Sequence, residues 1–104
     1  DEIRSAHGPR SVVGVSGDVS VAGDRVAMVE ACAGAFGGLD VLVNNAGISR
    51  VSSVFSDDDE FARNWDATIA VNLTAPFLFI KAALPHLRSV KGSIVNSTSS
   101  TPRW

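Results

Sequence analysis

The sequence predicts an α/β domain built on a parallel sheet, because apolar segments of two kinds alternate along the chain. Short β-branched runs occupy residues 11–16, 39–44 and 93–96, and longer segments with helical spacing separate them. Strands joined by a helical crossover of about ten or more residues are normally parallel, with a right-handed connection. At 104 residues the chain is one domain at most.

The three predicted strands share one composition. Each is short, rich in Val, Ile or Leu, and bounded by Gly, Pro, Asp or a polar residue, as in Leu-Asp-Val-Leu-Val-Asn at 39–44 and Ser-Ile-Val-Asn at 93–96. Nearly continuous apolar runs of this length are typical of strands buried on both faces of a sheet. We therefore expect the strands to be covered on both sides.

Two crossover helices are predicted between these strands. Apolar residues recur at helical spacing from Val26 to Phe36, and Gly37-Gly38 is a usual helix stop. A longer helix is predicted from about Trp65 to Arg88, with apolar residues near one face. Acidic residues at 57–60 precede it and suit the positive end of a helix dipole.

The composition excludes several classes of protein. Nine Lys and Arg residues against eleven Asp and Glu give a formal charge of −2, which leaves no basic surface for nucleic acid. Cys32 is the only cysteine, so an internal disulfide and a multi-cysteine metal site are excluded, and we expect no metal. The longest uncharged run, residues 67–80, is shorter than the roughly 20 residues of a membrane span. We expect a cytoplasmic protein without membrane contact.

Polar clusters follow each predicted strand, at 17–18, 44–47 and 96–100. Because the carboxyl ends of parallel strands lie at one edge of the sheet, these clusters are expected to gather there. Ligands of open α/β sheets bind at that edge. Each cluster by itself could also be an ordinary turn or polar loop.

Four motifs occur in order: Gly-Asp-Val at 17–19, Leu-Asp-Val-Leu-Val-Asn-Asn-Ala-Gly at 39–47, Trp65 with Val-Asn-Leu at 71–73, and Gly-Ser-Ile-Val-Asn at 92–96. Together they cover nearly the whole chain and resemble the short-chain dehydrogenase/reductase family. The resemblance implies a partial Rossmann-type, doubly wound parallel sheet of about three strands and two helices. It also implies NAD or NADP as cofactor and hydride transfer between nicotinamide and a small alcohol or carbonyl substrate.

The resemblance assigns cofactor-binding roles to two of the motifs. Asp18 would accept a hydrogen bond from the adenine amino group, and Val19 would pack on the ring. An Asp after Gly is also a helix-capping signal, so a purely local role for Asp18 is the alternative. Asn45, Ala46 and Gly47 would support the sheet and line the ribose.

Asn72 and Ser99 are the candidate catalytic residues. A short amide inside a helix competes with helical hydrogen bonding, so Asn72 is a poor choice for helix propensity alone. In the family this Asn holds a water in a proton relay; the alternative is a solvent-facing helical Asn. Aligning residues 94–96 with the family's Ile-Val-Asn places the catalytic serine at Ser99, or at Ser100 if the strand end shifts by one. This hydroxyl would hydrogen-bond the substrate oxygen.

The sequence departs from the family's pattern at both ends. It contains no Gly-rich phosphate loop before the first motif, and because it has no Tyr it has no Tyr-x-x-x-Lys pair. We therefore expect residues 1–104 to be the central part of an NAD(P)-binding domain and to be inactive alone. The alternative is a catalytically inactive, truncated homologue that acts as a binding or dimerisation module. In a full-length parent, the resemblance implies a homo-oligomer formed through the helix at 65–88.

Overall fold

A short parallel sheet and a long interrupted helix organise residues 2–8, 10–50 and 52–97, the part of the chain that the computed structural model describes. The elements are α1 (Glu2–His7), α2 (Ala22–Phe36), β1 (Val41–Asn44), α3 (Asp58–Ile69), a π-helical turn (Ala70–Thr74), α4 (Ala75–Val90) and β2 (Ser93–Asn96). Helical segments precede β1 and connect it to β2, and the predicted α/β class is confirmed.

The two strands pair in parallel, as the crossover argument predicts. Val41 lies opposite Ser93, and Asn44 lies opposite Asn96. The Ser93 N–H donates to the carbonyl of Asp40 at 2.9 Å, which extends the ladder by one bond at its start. Both strands therefore end side by side, each on an asparagine.

The predicted strand at 11–16 is wrong, because residues 12–18 have no regular secondary structure. Its β-branched residues favour an extended backbone, but a strand also requires a neighbour in the ladder. Within the described residues β1 pairs with β2, and no strand pairs with the run at 11–16.

The sheet is covered on one face, whereas burial on both faces was expected. α2 and α4 pack against each other, and α4 packs on both strands. The core residues are Val29, Ala83 and Leu87, with Leu39, Leu42, Phe79 and Ala82 packed around them. On the opposite face of the sheet, Val41, Val43 and Val95 are about half exposed. Successive side chains of a strand point to opposite faces of the sheet, so the core-facing residues alternate with the exposed ones.

α2 is confirmed where the sequence predicts it, but its buried face differs from the expected one. Val29 is buried, whereas Val26 and Phe36 are about half exposed. Arg25, one helical turn before Val29, is buried instead. Gly37 ends the helix with φ of 78°, a left-handed conformation that favours glycine, and its N–H donates to the Ala33 carbonyl.

The second predicted helix extends beyond both expected ends and contains a π-helical turn. The side chain of Asp57 caps its start by accepting from the Glu60 N–H at 2.8 Å. Lys91 ends it with φ of 53°. Trp65 and Leu73 are more than half exposed although Leu87 is buried. The π turn breaks the regular α-helical spacing, so the single apolar face predicted for this helix is not continuous.

Taken as one helix, Asp58–Val90 is 33 residues long, with a mean hydropathy of 1.6 in its most apolar window. By length and composition alone it could cross a membrane. Core helices of globular proteins have the same properties, and α4 contributes Ala83 and Leu87 to the core.

Candidate functional site

The carboxyl ends of the two strands are joined by their terminal asparagines. The side-chain amide of Asn44 donates from Nδ2 to Oδ1 of Asn96 at 2.9 Å. The Ser97 N–H donates to the Asn44 carbonyl, also at 2.9 Å. These contacts bring the polar cluster after β1 next to the cluster after β2, as the sheet topology predicts.

An open cleft with a volume of about 870 Å³ lies at this edge, within the usual size range of ligand sites. It is bounded by the segment after β1, the π turn with the start of α4, and the end of β2. Its lining residues are Asn44, Asn45, Ala46, Gly47, Ile48, Ser49, Asn72, Leu73, Pro76, Phe77, Ile80, Asn96 and Ser97. The polar side chains among them are amides and hydroxyls, and none carries a charge. The lining therefore combines uncharged hydrogen-bonding groups with apolar side chains.

A smaller hollow of about 70 Å³ adjoins the cleft and contains Val19. The hollow and the cleft share Asn44, Asn45, Ala46 and Pro76. Because Val19 also lines the hollow, residues from two separate motifs meet there. The other residues that line the hollow are apolar: Val43, Val71, Ala75 and Phe79. The structure therefore brings together Val19, Asn45 and Ala46, and it places Gly47 beside them in the larger cleft.

Asp18 lies next to the hollow in sequence but lines neither cavity. Its Oδ1 accepts from the Ser20 N–H at 2.9 Å and from the Ser20 hydroxyl at 2.7 Å. These hydrogen bonds lower the pKa of the Asp18 carboxyl from its ordinary value of 3.8, and the bond from the Ser20 hydroxyl has the larger effect. Asp18 is not the cap of α2, since Val21 occupies that position without a side-chain cap. Among the described residues, Oδ2 of Asp18 has no hydrogen-bond partner.

Asn72 holds the segment after β1 with both atoms of its amide. Its Oδ1 accepts from the Ile48 N–H at 2.9 Å, and its Nδ2 donates to the Ile48 carbonyl at 2.7 Å. The side chain thus makes a backbone contact across 24 residues of sequence, while Asn72 itself is exposed, as the solvent-facing alternative expected. Asn72 is the central residue of the π turn, and such turns are frequent at functional sites.

The candidate Ser99 and its alternative Ser100 lie outside the described residues. Ser97, at the end of β2, lines the cleft. In the described ranges, no three His, Cys, Asp or Glu side chains gather as a metal site.

Arg25, which belongs to none of the four motifs, is 7% exposed and donates from Nη1 to the Val19 carbonyl at 2.8 Å. A signal for it was present in the sequence. Arg25 precedes the apolar Val29 by four residues, so the two share a helix face. A charged residue on the buried face of a helix usually has a specific partner.

The family model for short chain dehydrogenases matches residues 1–103. A cis-2,3-dihydrobiphenyl-2,3-diol dehydrogenase from Pseudomonas sp. (strain KKS102) is 37% identical over 95% of this chain and 36% of its own length. A D-beta-hydroxybutyrate dehydrogenase from Cupriavidus necator is 40% identical over 80% of this chain and 31% of its own.

Among solved structures, the KRED1-Pglu enzyme superposes with a TM-score of 0.79 at 27% identity, covering 95% of this chain and 40% of that one. The chain thus spans about a third of the length of the curated relatives above. The sequence match extends over nearly all of the chain, and the similarity of the structures extends equally far. The chain therefore belongs to the short-chain dehydrogenase family of oxidoreductases.

Proposed function

We propose that this chain forms the central part of the NAD(P)-binding domain of an oxidoreductase that interconverts an alcohol and a carbonyl compound. One observation carries the proposal. Val19, Asn45, Ala46, Gly47 and Asn72 come from three separate motifs, yet they line two adjoining cavities at the carboxyl edge of a parallel sheet. That edge is where open α/β sheets bind nucleotides.

The residues at this edge fit an adenosine and its ribose. The hollow beside Val19 is apolar, which suits the face of an aromatic ring. The Oδ2 atom of Asp18 is an ionised acceptor available to an amino group. Ala46 and Gly47 leave the backbone open to a ligand, because a Cβ at Gly47 would meet only the Asn72 Oδ1 atom, at 3.6 Å.

When bound, the nicotinamide supplies or accepts the hydride. The chain's own residues position the substrate oxygen and the proton path. We assign Ser99 to hydrogen-bond the substrate oxygen. Support comes from Ser97, which lies two residues earlier in the sequence and lines the cleft. The Asn72 amide fixes Ile48 and keeps one further N–H and one lone pair, which can hold a water in a proton relay.

The substrate is a small molecule with a hydroxyl or carbonyl group. The two relatives are named as dehydrogenases of a cyclic diol and of a hydroxy acid, and both names describe secondary-alcohol chemistry. We further propose a cytoplasmic homo-oligomer that associates through the helix at 65–88. Trp65 exposes 62% of its surface on that helix and does not line the cleft, which favours a protein contact there.

Titration of the protein that carries this chain with NADH and NADPH, followed by nicotinamide fluorescence, tests the proposal. We expect saturable binding that Asp18→Ala weakens. Asp59→Ala is the matched control, because it removes an exposed carboxylate on α3 that lines neither cavity. Absence of binding, or an equal loss in both variants, would contradict the proposal. Binding without turnover on any alcohol or ketone would favour the inactive homologue instead.

A further inference from the structure

Arg25 is a buried cation whose hydrogen bond goes to the backbone. Its Nη1 lies 2.8 Å from the Val19 carbonyl oxygen, and 7% of the residue is exposed. Among the described residues, no carboxylate lies within ion-pair distance of its guanidinium. Burial of an arginine is costly unless the charge is compensated by hydrogen bonds. The guanidinium of Arg25 therefore fixes the position of the Val19 carbonyl.

Asp24, the preceding residue, holds the same turn from its other side. Its Oδ2 accepts from the Asp18 N–H at 2.9 Å. Consecutive residues of the first turn of α2 thus bind the N–H of Asp18 and the carbonyl of Val19. The Asp18 carbonyl, which lies between those two backbone groups, accepts from the Val21 N–H at 3.0 Å and closes the turn.

The segment before this turn lies against the helix. A Cβ at Gly17 would be 2.6 Å from Met28 Cε and 3.3 Å from Asp24 Cβ. The flexible end of Met28 can move aside, but Asp24 is held by its bond to Asp18. Glycine at 17 therefore permits the close approach that places the turn on α2.

α2 is itself held in place by packing on the hydrophobic core. Val29, one helical turn after Arg25, is buried against Ala83 and Leu87 of α4. Arg25 and Val29 lie one turn apart on α2, so the helix that carries the donor to Val19 is itself packed on the core. The side chain of Val19 lines the hollow that it shares with Asn45 and Ala46.

We propose that Arg25 and Asp24 are positioning residues for the adenine end of the site, which they serve by fixing the backbone of Asp18 and Val19. The inference rests on the proposed function, which assigns Asp18 and Val19 to the adenine ring. Neither Arg25 nor Asp24 touches the ligand in this arrangement. Their contribution is to preorganise the turn, so that binding does not have to order it.

The test measures how the two halves of the cofactor, AMP and nicotinamide mononucleotide, bind to the protein that carries this chain. Arg25→Leu removes the donor, Arg25→Lys retains a cation that can reach the carbonyl, and Arg63→Leu removes an exposed arginine on α3 as a charge control. Calorimetry measures binding of AMP and, separately, of nicotinamide mononucleotide. We expect Arg25→Leu to weaken AMP binding about tenfold, the scale of one charge-assisted hydrogen bond, with nicotinamide mononucleotide unchanged. Arg25→Lys should restore part of the loss.

Amide hydrogen exchange supplies a second measurement that does not require a ligand. In Arg25→Leu the Asp18 and Val21 amides should exchange faster, whereas the Gly92 amide, which donates to Leu87 at the end of α4, should be unchanged. Equal loss of both nucleotides, or unchanged AMP affinity in Arg25→Leu, overturns the inference and leaves the proposed function standing. A parent protein that binds neither AMP nor NAD(P)H refutes both.

Discussion

Replacing Gly92 by alanine should destabilise the fold, because Gly92 lies where α4 meets the start of the sheet. A Cβ added there would overlap the carbonyl oxygen of Asp40 and would stand 2.8 Å from Leu87 Cδ2. The Asp40 oxygen belongs to the backbone just before β1 and accepts the Ser93 N–H at 2.9 Å. Neither neighbour can move freely, since Leu87 belongs to the core.

The magnitude follows from these contacts. Relief of the overlap requires the loss or lengthening of the bond between Ser93 and Asp40, which costs about 1 kcal/mol. Displacing Leu87 in a packed core adds about 1 to 3 kcal/mol. The free energy of unfolding should therefore fall by about 2 to 4 kcal/mol, a large part of the roughly 5 to 15 kcal/mol of an ordinary domain.

Urea unfolding of the protein that carries this chain measures the effect, with Gly34→Ala as the matched control. Gly34 lies in α2 and an added Cβ would meet nothing within 4 Å. The same chemical change should there stabilise the helix by about 0.5 to 1 kcal/mol. The two substitutions should thus change the free energy of unfolding in opposite directions. A neutral or stabilising Gly92→Ala would refute the steric reasoning.

Four further outcomes are expected. Asn72→Ala should lower stability by about 1 to 2 kcal/mol in urea unfolding through the loss of two hydrogen bonds. In steady-state kinetics it should reduce kcat more than it reduces cofactor affinity, and the reverse would contradict the relay role. Lys91→Gly should raise stability by about 1 kcal/mol, because φ of 53° is costly for a residue with a Cβ; an unchanged melting temperature would count against this. Ser20→Ala should raise the pKa of Asp18 in an NMR titration. Because that pKa is lowered below 3.8 in the folded state, the stabilising contacts of Asp18 are present above that pH and are lost as the pH falls through the lower value. Ser99→Ala should lower kcat about a hundredfold, as for other donors to a reacting oxygen, and a silent variant would exclude that serine.

Local sequence determines part of this fold, and long-range pairing determines the rest. The runs that became β1 and β2 were predicted from β-branched residues alone, and β2 matched at both ends. Residues 11–16 have the same composition but form no strand, because strand formation also depends on sheet order. The acidic residues at 57–60 indicated the start of the long helix, and Asp57 caps it. The π turn, in contrast, has no signature in residue propensities. Burial of the strands on one face could not be read from composition.

The candidate site was predictable where motifs lie at strand ends. The sequence indicated that the clusters at 17–18, 44–47 and 96–100 would gather at one edge. Within the described residues Asn44 contacts Asn96 and Ser97, whereas Gly17 and Asp18 line neither cavity. It also indicated that Asn72 has a polar partner, because helix propensity does not explain it. That this partner is the backbone of Ile48 depends on packing across 24 residues and could not be inferred. Arg25 was overlooked because its partner, the Val19 carbonyl, has no sequence signature.

The π-helical turn at Ala70–Thr74 accommodates one residue more than an α turn. Because the extra residue is taken up within the turn, the helices on its two sides keep nearly the relative rotation that a regular α-helix would give them. Removal of one residue here should therefore leave Ala83 and Leu87 facing the core. It would change the wide turn from which Asn72 reaches the backbone of Ile48. Homologous genes that lack one residue in this turn should therefore keep the fold of the long helix and lose the contact between the helix and the segment after β1.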